Sequence, residues 1–286
     1  MTKGILIYAY NNRTVDYALL SIISGGLAKK HLSVPVSLVT DTTTVEWMKQ
    51  SSVFDLANTV FDKIIITEKP ETSNQRFLRD GIDGQMVPFT NTNRHSAWAL
   101  TPYDRTLLID SDYFILTDNL NSYWEVDQDI MIGESINDIY SQNRLGYLDV
   151  NISETGVKLY WATTVMFTKN PASKLFFDTV EYVKQNYLYY SDVFRFDHRQ
   201  FRNDIAFSVA KHLLDGFEES TLGRLPAILS ALDKDILYEV DGSTLKFLVD
   251  YKLDNTYCAA AVRDVDIHIM NKQSIVRHKQ QLLGMI

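Results

Sequence analysis

One cysteine, Cys258, is all that 286 residues contain, so no intrachain disulfide can form. A reducing compartment is the natural expectation. Long apolar runs are missing too. The opening stretch Ile5-Leu6-Ile7-Tyr8 is too short for the apolar core of a signal peptide and far too short to span a membrane. A cytoplasmic protein without a membrane span is expected. There is no basic excess: the formal net charge is -8, which argues against a general polyanion binder such as a non-specific nucleic-acid protein. No internal repeat, low-complexity segment or interdomain linker is visible. The length suits one large α/β domain, alone or with a smaller lobe.

What is present is the composition of a globular chain, 45% hydrophobic and 22% charged. The 16 Tyr and 14 Phe fit either an aromatic-lined cleft or an aromatic-rich core. The one basic cluster, Arg277, His278 and Lys279, reads as a solvated tail.

Apolar, β-branched runs predict buried strands at 4–10, 34–39 and 63–66, with helices from Thr14 to Lys30 and Thr44 to Gln50 between them. Alternating strands and helices are the signature of a parallel α/β sheet. Residues 67–92 show no period and are expected to be a loop excursion. A helix at 93–100, stopped by Pro102, precedes a turn and the strand Thr106–Ile109. Further strands are expected at 113–116, 130–133, 157–167, 236–240, 244–249 and 257–269, and helices at 171–185 and 203–214. The second half is the more irregular.

Four Asp-x-Asp triplets occur, Asp110/Asp112, Asp127/Asp129, Asp233/Asp235 and Asp264/Asp266, and about two are expected by chance. Only Asp110/Asp112 directly follows a clean apolar strand, Leu107-Leu108-Ile109. The carboxyl end of such a strand opens into the crevice where α/β sheets bind ligands. Carboxylates two apart on a strand share a face. Together they make a hard-oxygen site suited to magnesium or manganese, and a nearby imidazole favours manganese. Asp127/Asp129 and Asp233/Asp235 read as solvated turn residues. Asp264/Asp266 leads into a strand and brings His268 onto the face of Asp266.

The segment from Thr101 to Leu116, with Arg94 on the preceding helix, resembles the Asp-x-Asp core of GT-A-fold glycosyltransferases, especially the glycogenin and galactosyltransferase-like family eight. The resemblance is patchy but spreads over most of the chain. It implies a single GT-A-like domain over 1–286, with a nucleotide-binding half at 1–118 and a donor-sugar and acceptor half at 119–286. It implies metal binding by Asp110, Asp112 and His268, with Mn2+ (or Mg2+) as the ion. Tyr8, Ala9, Tyr10, Asn11 and Asp41 would meet the nucleotide of a UDP-linked sugar. Arg94, Ser111, Thr163 and Lys272 would complete the donor site, and Asn203 and Asp204 would be the catalytic pair on a later helix. Retention of anomeric configuration is implied as well. The acceptor is a hydroxyl of a glycan, protein, small molecule or, less in keeping with the acidic charge, a modified nucleobase.

The chain departs from the family pattern in three places. Ala162-Thr163-Thr164 stands where an Asn-Ala-Gly run is usual, and Arg202 where an acid is frequent. The Gly and Pro-Trp that normally flank the late lysine are absent around Lys272. Three other readings share parts of the motif. A haloacid-dehalogenase-type phosphohydrolase normally continues with Gly-Thr rather than Tyr113-Phe114. A nucleotidyltransferase normally has a glycine-rich loop where Tyr10-Asn11-Asn12-Arg13 stands. A non-catalytic nucleotide-sugar binding module is the third.

Overall fold

A computed structural model describes the chain apart from residues 13, 52, 71–73, 82, 141–143, 155, 198, 217–222 and 252–255, with the backbone alone at Leu148 and Tyr251. The first half opens with β1 (Lys3–Tyr8), α1 (Tyr17–Leu32), β2 (Val36–Thr40), α2 (Thr42–Gln50), α3 (Phe54–Val60) and β3 (Lys63–Ile66). It continues with β4 (Gln75–Asp80), β5 (Asp83–Pro88), a 3-10 turn at Arg94–Ser96, α4 (Ala97–Leu100), β6 (Arg105–Ile109) and β7 (Tyr113–Phe114). After a 3-10 stretch at Asn119–Glu125 come β8 (Ile130–Gly133), β9 (Ile136–Asp138), α5 (Tyr147–Val150), β10 (Trp161–Thr168), α6 (Pro171–Gln185), α7 (Tyr187–Phe194) and α8 (Asn203–Asp215). The chain closes with β11 (Gly223–Leu225), β12 (Ile228–Ala231), β13 (Ile236–Asp241), β14 (Thr244–Tyr251), β15 (Thr256–Arg263), β16 (Ile267–Ile269), α9 (Lys272–Arg277) and α10 (Lys279–Leu283).

The main sheet has seven strands in the order β11-β8-β10-β6-β1-β2-β3. Its pairings are parallel except where β10 runs antiparallel to β6 and β8. The expected mixed, mostly parallel sheet flanked by helices is therefore present. β1, β2 and β6 are buried without alternation, apart from half-buried Lys3, as central strands of a mostly parallel sheet are. A second sheet, β7-β16-β12-β9, stands beside the first, and β13-β14-β15 forms an antiparallel meander. α6 is set by Asn170, whose side chain accepts from Ser173 N, by Pro171 in the first turn, and by an apolar stripe at Phe176, Phe177, Val180 and Val183.

Several expectations are corrected. Residues 67–92 contain the antiparallel hairpin β4–β5 rather than only a loop, with 71–73 and 82 outside the described residues. Within its two strands only Leu78 and Val87 are buried, so no apolar period marks the hairpin. The cap of α1 is Asp16, not Thr14, and its carboxylate accepts from Leu19 N at 3.0 Å. Arg277, His278 and Lys279 are not a tail but join α9 to α10, whose Leu282 is fully buried. Asp235 is not solvated. It is fully buried and pairs with Arg144 at 2.7 Å. Strand-like 157–167 begins only at Trp161, and 257–269 is split by a turn containing Asp264, whose φ is 49°.

Candidate functional site

β6 is entirely buried and delivers Asp110 at its carboxyl end. Asp110 N donates to Thr163 O of β10 at 3.0 Å, and Tyr113 N donates back to Asp110 O at 3.2 Å. The chain therefore turns at Ser111-Asp112 before β7, so the two carboxylates meet through a turn and not by alternation along one strand. β7 is held by α1, where Ser24 Oγ donates to Tyr113 O at 2.7 Å. β16 pairs with β7 in a register that sets His268 opposite Tyr113. Ile269 N donates to Asp112 O at 3.0 Å. A residue more than 150 positions away is thus locked beside the aspartates by backbone hydrogen bonds.

Asp110, Asp112 and His268 each offer a ligand atom, all within 4.8 Å of one another. His268 Nε2 lies 3.4 Å from Asp112 Oδ1, and its Nδ1 lies 3.3 Å from Ser230 Oγ on β12. Binding one ring nitrogen fixes the other toward the carboxylates. Two carboxylate oxygens and an imidazole fit a hard divalent ion such as manganese. Lys272, in the first turn of α9, contacts Asp112 Oδ2. Arg94 Nη1 donates to Asp110 Oδ1 at 2.8 Å.

The electrostatics follow from burial among these charges. Burial pushes the Asp110 carboxyl up, against the pull of Arg94. At Asp112 burial is overcome by Lys272 and then His268, and the carboxyl is held well below its usual range. Burial, and after it Arg76, lowers Lys272. Among the described residues, Arg94 Nε and Nη2, the Tyr17 hydroxyl and Asn91 Oδ1 are buried without a hydrogen-bond partner. Their residues line the cleft above the aspartates, so their unmet capacity points toward whatever fills it.

This cleft encloses about 370 Å3. It brings together Arg94, Asp110, Ser111, Asp112, Thr163, Asn203, Asp204, His268 and Lys272 of the expected set. Asn203 Nδ2 donates to Asn91 O at 2.8 Å, and Asp204 is paired with Arg202, so the helix-first-turn acid is already engaged. Five expected nucleotide contacts do not line the cleft. Tyr8 is buried with its hydroxyl 2.9 Å from Ser96 Oγ. Ala9 accepts from Thr40 Oγ1 at 2.6 Å through its carbonyl. Tyr10 bonds Thr67 at 3.2 Å and Asn93 at 3.3 Å. Asn11 Oδ1 accepts from Ala18 N at 2.7 Å. Asp41 caps α2 and sits 3.6 Å from Lys69.

Tyr17, Arg76, Phe89 and Asn91 line the cleft without having been singled out by the sequence. Three of them lie in the aperiodic 67–92 segment, where nothing short of the hairpin itself marks them. A second cavity of about 500 Å3 adjoins the first and shares Gln200 and Arg202 with it. Among the described residues, no helix is long and apolar enough to cross a membrane.

No family profile and no curated protein matches the chain. Among solved structures it is similar to the glycosyltransferase GlyE of Streptococcus pneumoniae TIGR4, with a TM-score of 0.44 and 13% identity, covering 79% of this chain and 45% of that one. It is similar to the galactosyltransferase LgtC, solved with donor and acceptor sugar analogs, with a TM-score of 0.42 and 16% identity over 79% of this chain and 73% of that one. Mouse xyloside xylosyltransferase 1 matches at a TM-score of 0.44 and 10% identity, over 80% of this chain and 86% of that one. The chain thus spans under half the length of the pneumococcal protein.

Proposed function

We propose that this chain is a metal-dependent glycosyltransferase that moves a sugar from a nucleotide diphosphate, UDP by preference, to an acceptor hydroxyl. The observation that carries the reading is the convergence of Asp110, Asp112 and His268 at the floor of a cleft at the carboxyl edge of a mostly parallel sheet. A divalent ion held by these three residues supplies Lewis acidity toward the donor's diphosphate.

The chain's own residues do the rest. Arg94 fixes the Asp110 carboxylate and keeps two buried N–H-bearing nitrogens uncommitted for an anionic ligand. Ser230 sets the His268 ring. Lys272 sits at the same floor with an ammonium able to share charge that develops on the leaving diphosphate. Thr163 on β10, beside Asp110, is the residue at which the donor sugar would lie. Asn203 and Asp204 close the side nearer the second cavity, from which the acceptor would enter.

The phosphohydrolase alternative is not favoured. Its nucleophile would be Asp110, whose Oδ1 already accepts from Arg94. The test is calorimetric titration of UDP, with and without Mn2+, into the wild type and Asp110→Ala/Asp112→Ala. The expected result is binding that needs the ion and loses about 3 kcal/mol, roughly a hundredfold, in the double variant. Absence of binding to both UDP and GDP by the wild type would rule the reading out. Release of UDP from a UDP-sugar, or its absence, then separates an enzyme from a non-catalytic binding module.

A further inference from the structure

Four cations that line the cleft are already committed to carboxylates. Arg79 Nε lies 3.1 Å from Asp233 Oδ2 and Arg94 Nη1 2.8 Å from Asp110 Oδ1, while Arg202 and Lys272 contact Asp204 and Asp112. Arg76 lines the same cleft and, among the described residues, has no carboxylate partner. Its guanidinium lies over the Phe89 ring, 5.4 Å from the centroid, and Phe89 is itself a cleft residue. Stacking of this kind fixes the guanidinium plane and leaves its edge of N–H donors free to meet an anion.

Arg76 lines one cleft with Lys272, Asp110 and Asp112. At the Tyr17 hydroxyl, where burial dominates and raises the pKa, Arg76 is the leading opposing influence. Cations that line one cleft favour the entry of negative charge between them. The Tyr17 hydroxyl, buried and unpartnered, lines the same space.

The mount is firm. Arg76 projects from β4, whose last residue, Asp80, accepts from Arg277 Nη2 at 2.8 Å and from Asn271 Nδ2 at 3.2 Å. On the other side, Asn74 exchanges two hydrogen bonds with the Phe201 backbone, at 2.9 and 3.1 Å. The hairpin is thus tied to both walls of the cleft, with Arg76 between the ties.

We propose that Arg76 is a binding residue for the diphosphate of the donor, presented from the β4–β5 hairpin into the cleft that Lys272 also lines. The inference rests on the reading of the cleft as a nucleotide-sugar site. A guanidinium edge matches two phosphate oxygens at once, so the contact is strong and selects for the diphosphate over the nucleoside.

The test is titration of UDP in the presence of Mn2+ into the wild type, Arg76→Ala and Arg76→Lys, with uridine followed by NMR shift changes as the phosphate-free control. Arg76→Ala is expected to weaken UDP by about tenfold to a hundredfold, with uridine unaffected and Arg76→Lys intermediate. Unfolding temperatures of the variants should match the wild type. UDP binding by Arg76→Ala within about twofold of wild type overturns the inference alone, because a charge-assisted contact is worth more than that. Equal weakening of UDP and uridine also overturns it, since that marks a displaced hairpin. A wild type that binds neither UDP nor GDP overturns the donor reading and this inference with it.

Discussion

Asp112 is asked to serve two cations. Its Oδ2 is in contact with the Lys272 ammonium, and its Oδ1 lies 3.4 Å from His268 Nε2, within the candidate metal triad. A divalent ion drawing on the same carboxylate meets the lysine as a competitor, in a buried setting where charges are poorly screened. Lys272→Gln is therefore expected to tighten Mn2+ binding in the absence of nucleotide by roughly tenfold, about 1.4 kcal/mol, measured by the loss of the free-ion EPR signal on titration. Unchanged or weaker Mn2+ binding would show that lysine and metal do not meet at this carboxylate. Asp110 and Asp112 were readable locally because they end an apolar strand, whereas the roles of His268 and Lys272 came only with the family resemblance. Arg76, Tyr17 and Asn91 were not readable, because a lone arginine, tyrosine or asparagine has no spacing to betray it. Tyr8, Ala9, Tyr10, Asn11 and Asp41 show the opposite case. They sit at strand ends where ligands are expected but do not line the cleft, and they bond Ser96, Thr40, Thr67, Ala18 and Thr44, with Asp41 Oδ2 left without a hydrogen-bond partner among the described residues.

Between elements, a buried ion triad does what apolar contact does elsewhere. Asp138, ending β9, and Asp235, just before β13, both take the Arg144 guanidinium, at 2.6 and 2.7 Å. Asp235 also accepts from Leu232 N at 2.8 Å and Asp250 N at 3.1 Å, so it joins β9, β12 and β14 at one carboxylate. Burial alone would lower Arg144, yet Asp235 and Asp138 raise it. Removing one partner leaves charge buried without compensation, so Asp235→Ala is expected to cost about 3–5 kcal/mol in urea denaturation. Asp233→Ala, which breaks a half-exposed pair with Arg79, should cost less than about 1 kcal/mol. Equal costs for the two variants would refute the triad as a joint. The sequence made these acids look alike, since two aspartates in one turn carry no mark of which faces inward. At this scale, long apolar strands and the well-capped α6 were legible. The β4–β5 hairpin was not, because its outer face is solvated and each of its strands buries a single apolar side chain.

In the whole molecule, α1 belongs to two cores at once. Ala18, Ile22 and Ala28 pack with the main sheet, whereas Leu19, Leu20, Ile23 and Leu27 pack with Phe114, Ile267, Ile275 and the β13–β15 meander. The helix is consequently apolar on nearly every side, which suits an element sandwiched between layers and not one resting on a single sheet. Its Gly25-Gly26 pair lets both neighbours close in. A side chain at Gly25 would meet Phe61 at 3.0 Å, and one at Gly26 would meet Ile286 at 2.8 Å. The cleft draws on the same union, since Tyr17 comes from α1, Asp110 from the main sheet and His268 from the second sheet. A chain of this length is long enough for its halves to unfold separately. The shared helix argues that they do not, because losing either core strips one face of α1 and exposes leucines and isoleucines that the other core cannot cover. Scanning calorimetry is expected to give one transition, with calorimetric and van't Hoff enthalpies in agreement. Two resolved transitions, or a van't Hoff enthalpy well below the calorimetric one, would mean that the main-sheet and meander-side cores melt independently, and that α1 is a hinge between domains instead of the beam that joins them.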